Sequence, residues 1–452
     1  MQLTSCAAVA LAVACSCTAA HADSTILFTR PVNSVHNGTL MPTGTGLFVI
    51  NDTGSGYRQL TPLASNAYYT PSGAYSSSAF AASGYWLTKN FSPDGRYIQY
   101  FAGKLSNPTL QGPYPGKYYV MDLKNGKSQP LFSGADDNAS PGHGFLAWGP
   151  ASSNEIAFAN SANEVATSPP CVYLMHTDGS HEHLLWCAPA DEQTPQGPVP
   201  TLAVDSIRWA GNGKALLAYV SYQPLPLAMP KQKVTTDPVG GTAYEGVYEV
   251  DVQTGTAKEV ASNVPDPPAG DVSYDGSVVL YQQYGFSGCG NTNPEDSTGV
   301  SLCVKNMHSG KVTTLFENNL GEWDLNGAGG WWATYWYSQA LLSPDGSNVA
   351  VTMENTQGTE ADLYVVRSDD SNITQLTAPA ANTAVGSEIA WLPAAWSPNG
   401  KQLLVNRITA PSASNSKNQT TPSEVHVIAL SNGRDWRITS GFAIDWFNPP
   451  GS

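Results

Sequence analysis

The chain has 452 residues, 21 of them Lys or Arg and 36 Asp or Glu, so 13% are charged and the net charge is -15. That balance would repel phosphate backbones and anionic lipid, and no basic run offsets it, which excludes nucleic-acid binding. A hydrophobic content of 41% excludes disorder, and the low charge with 42 Gly and 33 Pro suits an exported β-rich protein.

The first segment, 1–22, carries no Asp, Glu, Lys or Arg. Its apolar stretch, 6–17, is too short to cross a bilayer and leads to Ala20-His21-Ala22, a small-x-small site. Residues 1–22 are therefore read as a signal peptide cleaved before Asp23, although the usual early Lys or Arg is missing, and 23–452 as one domain. A lipid anchor on Cys15 or Cys17 is the weaker reading, because neither has Leu three residues before it. The expected location is periplasmic or secreted, with no transmembrane segment and the protein a monomer.

Downstream a turn recurs after short apolar runs: Ser92-Pro93-Asp94-Gly95, Ser343-Pro344-Asp345-Gly346 and Ser397-Pro398-Asn399-Gly400, with weaker copies at Ser273 and Ala210. Pro presets the first central dihedral, and Asp-Gly or Asn-Gly accepts the positive one, so each copy is a hairpin turn. The strands that follow, such as 97–101, 215–220, 348–353 and 402–407, are almost continuously apolar, which implies burial on both faces. A second hairpin follows each of these, as in YYVMDLKNGKSQPLF from Tyr118 and VHVIALSNGRDWRIT from Val425. It occurs seven times, beginning at Leu47, Tyr118, Val172, Val247, Leu302, Leu363 and Val425, at a mean period of about 63 residues. Two hairpins per period give four strands per repeat, and seven such sheets stacked radially make an all-β, seven-bladed β-propeller of antiparallel blades. The first repeat lacks its leading strand, while the C-terminus carries a spare one, Phe442-Ala443-Ile444-Asp445-Trp446-Phe447. That strand is expected to pair with 25–29 and close the ring, leaving no free edge between the chain ends.

These turns and hairpins resemble the repeat of the TolB-type (PD40, WD40-like) propeller family and of the propellers in dipeptidyl peptidase IV-like enzymes. The resemblance implies a propeller fold. It says little about activity, because the shared residues make turns. The separate N-terminal domain of TolB proteins and the hydrolase domain of the peptidases have no counterpart here.

Of seven cysteines, four follow the leader: Cys171, Cys187, Cys289 and Cys303. In an exported chain they read as two disulfides. Cys171 and Cys187 flank the turn Asp178-Gly179 and should face each other, and a Cys289 to Cys303 bridge would close a Gly/Asn/Pro-rich loop.

No G-x-S-x-G elbow, P-loop or dinucleotide fingerprint is present, so no catalytic residue is assigned, no cofactor is expected and the reading leans away from an enzyme. His176, His181 and His183 share one hairpin; as solvated residues of an outer rim they are assigned no metal. The long connections 31–46, 62–84, 103–116, 189–201, 222–246, 283–300 and 411–422 are expected at one end of the ring, and elaborated loops on a rigid scaffold are where binding evolves. The segment from Glu322 to Tyr337 is rich in rings, so Trp331, Trp332, Tyr335 and Trp336, with Asp324, are the ligand-binding candidates, at a protein or glycan site. In an extended segment Trp331 and Tyr335 share one face and Trp332 and Trp336 the other, so one pair stacks on the ligand and the other packs. The residues just before the inner-strand ends, Asn90, Arg208, Asp271 and Asp445, are expected to line the channel, with Arg208 and Asp271 paired and Asp445 open to water or a cation. The leading function is an exported binding or scaffold protein. The alternative is a propeller polysaccharide lyase or other carbohydrate-active enzyme, which would need a base beside a cation, for which His143, Arg208 and Tyr335 are candidates.

Overall fold

The computed structural model describes residues 24–36, 39–64, 67–70, 90–104, 116–132, 143–150, 153–160, 169–194, 197–210, 213–222, 244–265, 271–273, 276–284, 289, 299–319, 340–354, 360–377, 388–410 and 423–447. They form seven blades in a ring, and no helix occurs among the described residues. The first blade is built from both ends of the chain: Phe442–Phe447 is its innermost strand, followed outward by Thr25–His36, Thr39–Asn51 and Arg58–Gln59. Ile26 stands opposite Trp446 and Leu27 opposite Asp445, the closure expected from the spare C-terminal strand. The seventh blade shows the contiguous form, with Glu388–Trp396, Gln402–Ala410, Ser423–Ala429 and Asp435–Ser440 in order from the axis outward.

The repeated turn works as its residues demand. Ser92 Oγ donates to Asp94 Oδ1 (2.6 Å) and accepts from the Tyr97 amide (2.9 Å), while the Gly95 amide closes the turn on the Ser92 carbonyl (2.8 Å). Gly95 has φ +67°, and a Cβ there would come within 2.0 Å of the Phe447 ring, so the position requires glycine for both conformation and space. Ser343 and Ser397 repeat the pattern.

The core among the described residues is seven apolar clusters, each shared by two consecutive blades. Ile26 and Phe28 pack toward the seventh blade, whereas Leu27 between them packs toward the second. Both faces of a strand are thus core, which is why the strands read as unbroken apolar runs rather than alternating ones.

Two expected loops are hairpins instead. Residues 31–46 continue the first blade, with Pro31 opposite Thr45 and Asn33 opposite Pro42. Within 189–201, Asp191–Thr194 pairs with the start of Gly197–Trp209, adding a fifth strand to the fourth blade. In both cases prolines that read as loop residues occupy strand positions next to an edge or irregularity, where the missing N–H is tolerated.

Both disulfides are present. Cys171 and Cys187 lie opposite each other in the third blade, with Cα atoms 3.9 Å apart, and Cys289 is bonded to Cys303 in the third strand of the fifth blade.

Candidate functional site

The turns joining first to second strands, in the six blades where these are consecutive in sequence, and third to fourth strands in all seven lie at one end of the ring. Antiparallel pairing then sends the second-to-third connections and the blade-to-blade connections from the opposite end. The inner strands are tied across the junctions by side chains of two kinds. Indole N–H groups reach back to the preceding blade: Trp148 Nε1 donates to the Asn90 carbonyl (2.9 Å), Trp209 to Ala147 (3.0 Å) and Trp396 to Leu341 (3.0 Å). Carboxylates near the ends of inner strands reach forward. Asp445 Oδ2 accepts from the amides of Asn90 (2.7 Å) and Phe91 (3.1 Å), and Asp271 Oδ2 from Leu342 (2.9 Å).

Three of the four expected channel residues thus take part in this fastening: Asn90 through its backbone, Asp271 and Asp445 through their carboxylates. Asp445 does not stand open for a cation; it is buried, and its other oxygen accepts the Trp446 amide (2.8 Å). Arg208 is also buried, on the inner strand of the fourth blade. Three further side chains reach from second strands to the inner strand of the next blade. Gln99 Nε2 donates to Leu146 (2.9 Å), Thr352 Oγ1 to Trp391 (2.7 Å), and Asn406 both donates to the Ala443 carbonyl (3.1 Å) and accepts its amide (2.6 Å).

Trp331, Trp332, Tyr335, Trp336 and Asp324 lie outside the described residues, as does the side chain of His143, whose backbone opens the inner strand of the third blade. The described side chains at the loop-bearing end include a polar group that sequence reasoning missed. On one face of the seventh blade Trp391, Arg407 and Glu424 stand in register across three strands. Arg407 donates to Glu424 Oε2 (3.0 Å), Arg437 Nε contacts Glu424 Oε1 (2.7 Å), and the Arg407 guanidinium lies over the Trp391 ring at 5.7 Å. His426 is buried edge-on against Trp391, with Nδ1 2.7 Å from Asp435 Oδ1 and Nε2 3.5 Å from Glu424 Oε2. The imidazole is thereby fixed in orientation between two carboxylates, with Nδ1 facing Asp435 and Nε2 facing the arginine-clamped Glu424. The period-2 spacing of Glu424 and His426, opposed by Asp435 and Arg437 in the next strand, was the available signal.

One blade away, Asp362 lies near the same end. Burial pushes its carboxyl above the ordinary range, against hydrogen bonds from Thr377 (2.9 Å) and Gln375 (2.9 Å) that act the other way. Among the described residues no helix is long and apolar enough to cross a membrane.

No protein-family model matches the chain, and neither does any curated protein. Among solved structures the chain is similar to TolB from Acinetobacter baumannii (14% identity, TM-score 0.40, 78% of this chain), of whose length it spans 63%. It is similar to an oligogalacturonate lyase from Vibrio parahaemolyticus (12% identity, TM-score 0.49, covering 93% of this chain and 87% of that one). It is similar also to dipeptidyl peptidase 4 of Porphyromonas gingivalis (10% identity, TM-score 0.46, covering 91% of this chain and 59% of that one). The chain's own sheets, seven blades in a ring, each with four antiparallel strands and the fourth with one more, make it a β-propeller.

Proposed function

We propose that the protein is an exported, non-catalytic propeller that binds a protein or glycan at the loop-bearing end of its ring. The observation that carries this reading is the unequal length of the connections at the two ends. At one end the strands are joined by tight turns closed on their own backbone, as at Ser92, Ser343 and Ser397. From the other end depart the connections 105–115, 133–142, 161–168, 223–243, 285–298, 320–339, 378–387 and 411–422. Chain length spent at one end of a scaffold whose strands are otherwise fully used in packing is best accounted for by recognition there. Export is supported by the leader composition of 1–22 and by the two disulfides, which persist in oxidising compartments.

The experiment is a glycan-array screen of the purified mature chain, beginning at Asp23, with a parallel assay for unsaturated sugar products and alanine substitutions at Trp331, Trp332, Tyr335 and Trp336. The reading expects binding without product formation, weakened by about 1–3 kcal/mol at the rings that stack on the ligand, with little change in unfolding temperature. Product formation would instead establish the lyase alternative. Severe destabilisation by all four substitutions would make those rings core.

A further inference from the structure

The outer hairpin of the third blade repeats the turn of the first blade, with one substitution that the backbone should resist. In the first blade the turn 51–56 has the Asn51 amide bonded to the Ser55 carbonyl, and Gly54 and Gly56 at φ +81° and +67°. In the third blade the turn 176–181 has the His176 amide bonded to the Ser180 carbonyl, Gly179 at φ +80°, and His181 at φ +59° where the first blade has Gly56. A side chain with Cβ is held in the left-handed region, at a position the same fold fills elsewhere with glycine.

The consequence is local and specific. The His181 ring lies against the His176 ring, centroids 4.3 Å apart, and both Nδ1 atoms converge on Ser180 Oγ, at 2.9 Å and 3.4 Å. Ser180 Oγ is 2.6 Å from Asp178 Oδ1, so the single hydroxyl proton goes to that carboxylate and the oxygen lone pairs accept the two Nδ1 protons. Both imidazoles are thereby fixed as the tautomer whose Nε2 lone pair is open, with a hydroxyl and a carboxylate behind them, the arrangement that supports metal-ligating histidines.

We propose that His176 and His181 form a two-imidazole clamp for a borderline divalent cation, Cu²⁺ before Ni²⁺ or Zn²⁺, on the outer hairpin of the third blade. Two nitrogens bound to one ion at ~2.0–2.1 Å lie about 3 Å apart, a separation that rings already in contact reach with small side-chain rotations. Water fills the remaining positions, since no group of three or more His, Cys, Asp or Glu among the described residues could hold an ion by itself. Cu²⁺ is preferred because imidazole affinity rises along the series to copper. His183 stands outside the pair: its Nδ1 faces the His181 carbonyl (3.0 Å) rather than the Ser180 hydroxyl that His176 and His181 share.

The test is calorimetric titration of untagged mature protein with Cu²⁺, Ni²⁺ and Zn²⁺, comparing the native chain with His176→Asn, His181→Gly and His183→Gln. The first two substitutions restore the residues of the first-blade turn, so the fold is retained, and His181→Gly should raise the unfolding temperature by removing the positive-φ side chain. The clamp predicts one ion per chain, copper bound most tightly, affinity reduced at least tenfold in His176→Asn and in His181→Gly, and unchanged in His183→Gln. Absence of binding to the native chain, or equal affinity in His181→Gly, would overturn it.

Discussion

The first and sixth blades have the same four strands but are fastened differently. The sixth is one stretch of chain, and its inner strand, Leu341–Leu342, is gripped by one carboxylate from the fifth blade and one indole from the seventh. The first blade joins the two chain ends, and its inner strand is held at many points. Asp445 takes two amides of the second blade, Asn406 grips both polar groups of Ala443, and Phe447 packs on Phe91 with ring centroids 5.6 Å apart. Farther out, Arg30 lies over the rings of Phe28, Phe48 and Tyr57 and bonds to Thr439 and Ser440 of the seventh blade. One fastener is missing there: the Trp446 Nε1 has no acceptor among the described residues, unlike the indoles of Trp148, Trp209 and Trp396. Among the described residues, side-chain bonds are therefore denser where the ring is closed without a covalent link than at the inner strand of the sixth blade.

The largest effect should come from ending the chain after Thr439. That removes the inner strand of the first blade, strips one wall from the clusters around Trp446 and Ile444, and should abolish the cooperative unfolding transition seen by calorimetry. Next, Asp445→Ala should destabilise more than Asp271→Ala, since it leaves two amides of the neighbouring blade without an acceptor rather than one, at about 1–3 kcal/mol for each buried group. Equal losses in urea denaturation would contradict the comparison. By the same counting, Asn406→Ala orphans two backbone groups and Thr352→Ala one, so the former should lower the urea midpoint about twice as far.

The smallest effect is expected at the turn-bearing end, where Arg96 donates to Asp122 (2.9 Å) and its guanidinium, first of all, holds that carboxyl below its ordinary range. A carboxyl lowered on folding stabilises the protein above its unfolded value, and the contribution is lost as pH falls through the folded one. Asp122→Asn should therefore be slightly less stable than the native chain near neutrality and indistinguishable from it in strong acid, with the gap shrinking in added salt.

The ring was legible in the sequence because its turns have narrow chemical requirements. Ser, Pro, Asp and Gly at Ser92 and Ser343 each satisfy a distinct dihedral or hydrogen bond, so the repeat survives where packing residues vary. The closing strand was legible because an aromatic-rich fragment after the last repeat had no other partner. Strands 32–36 and 191–194 were hidden by Pro31, Pro42, Pro198 and Pro200, which local reading assigns to loops. The polar group around Glu424 and His426 was missed because polar residues at alternate positions of an outer strand look like a solvated face. Only the register of four strands shows that they meet on Trp391 and Arg407. The clamp at His181 was visible as three histidines, but the reason to single it out, a positive φ where a sister turn has glycine, exists only in three dimensions.

The central claim is that both chain ends build the first blade and that the ring stands or falls through the seams on either side of it. Native-state hydrogen exchange on Asp445→Ala, read blade by blade against the native chain, tests it most directly. The closed ring predicts that amides in the first, second and seventh blades lose protection together, including those of Thr25–His36 and Tyr97–Lys104 far from the substitution in sequence. Faster exchange confined to Phe442–Phe447, with the neighbouring blades unchanged, would contradict it.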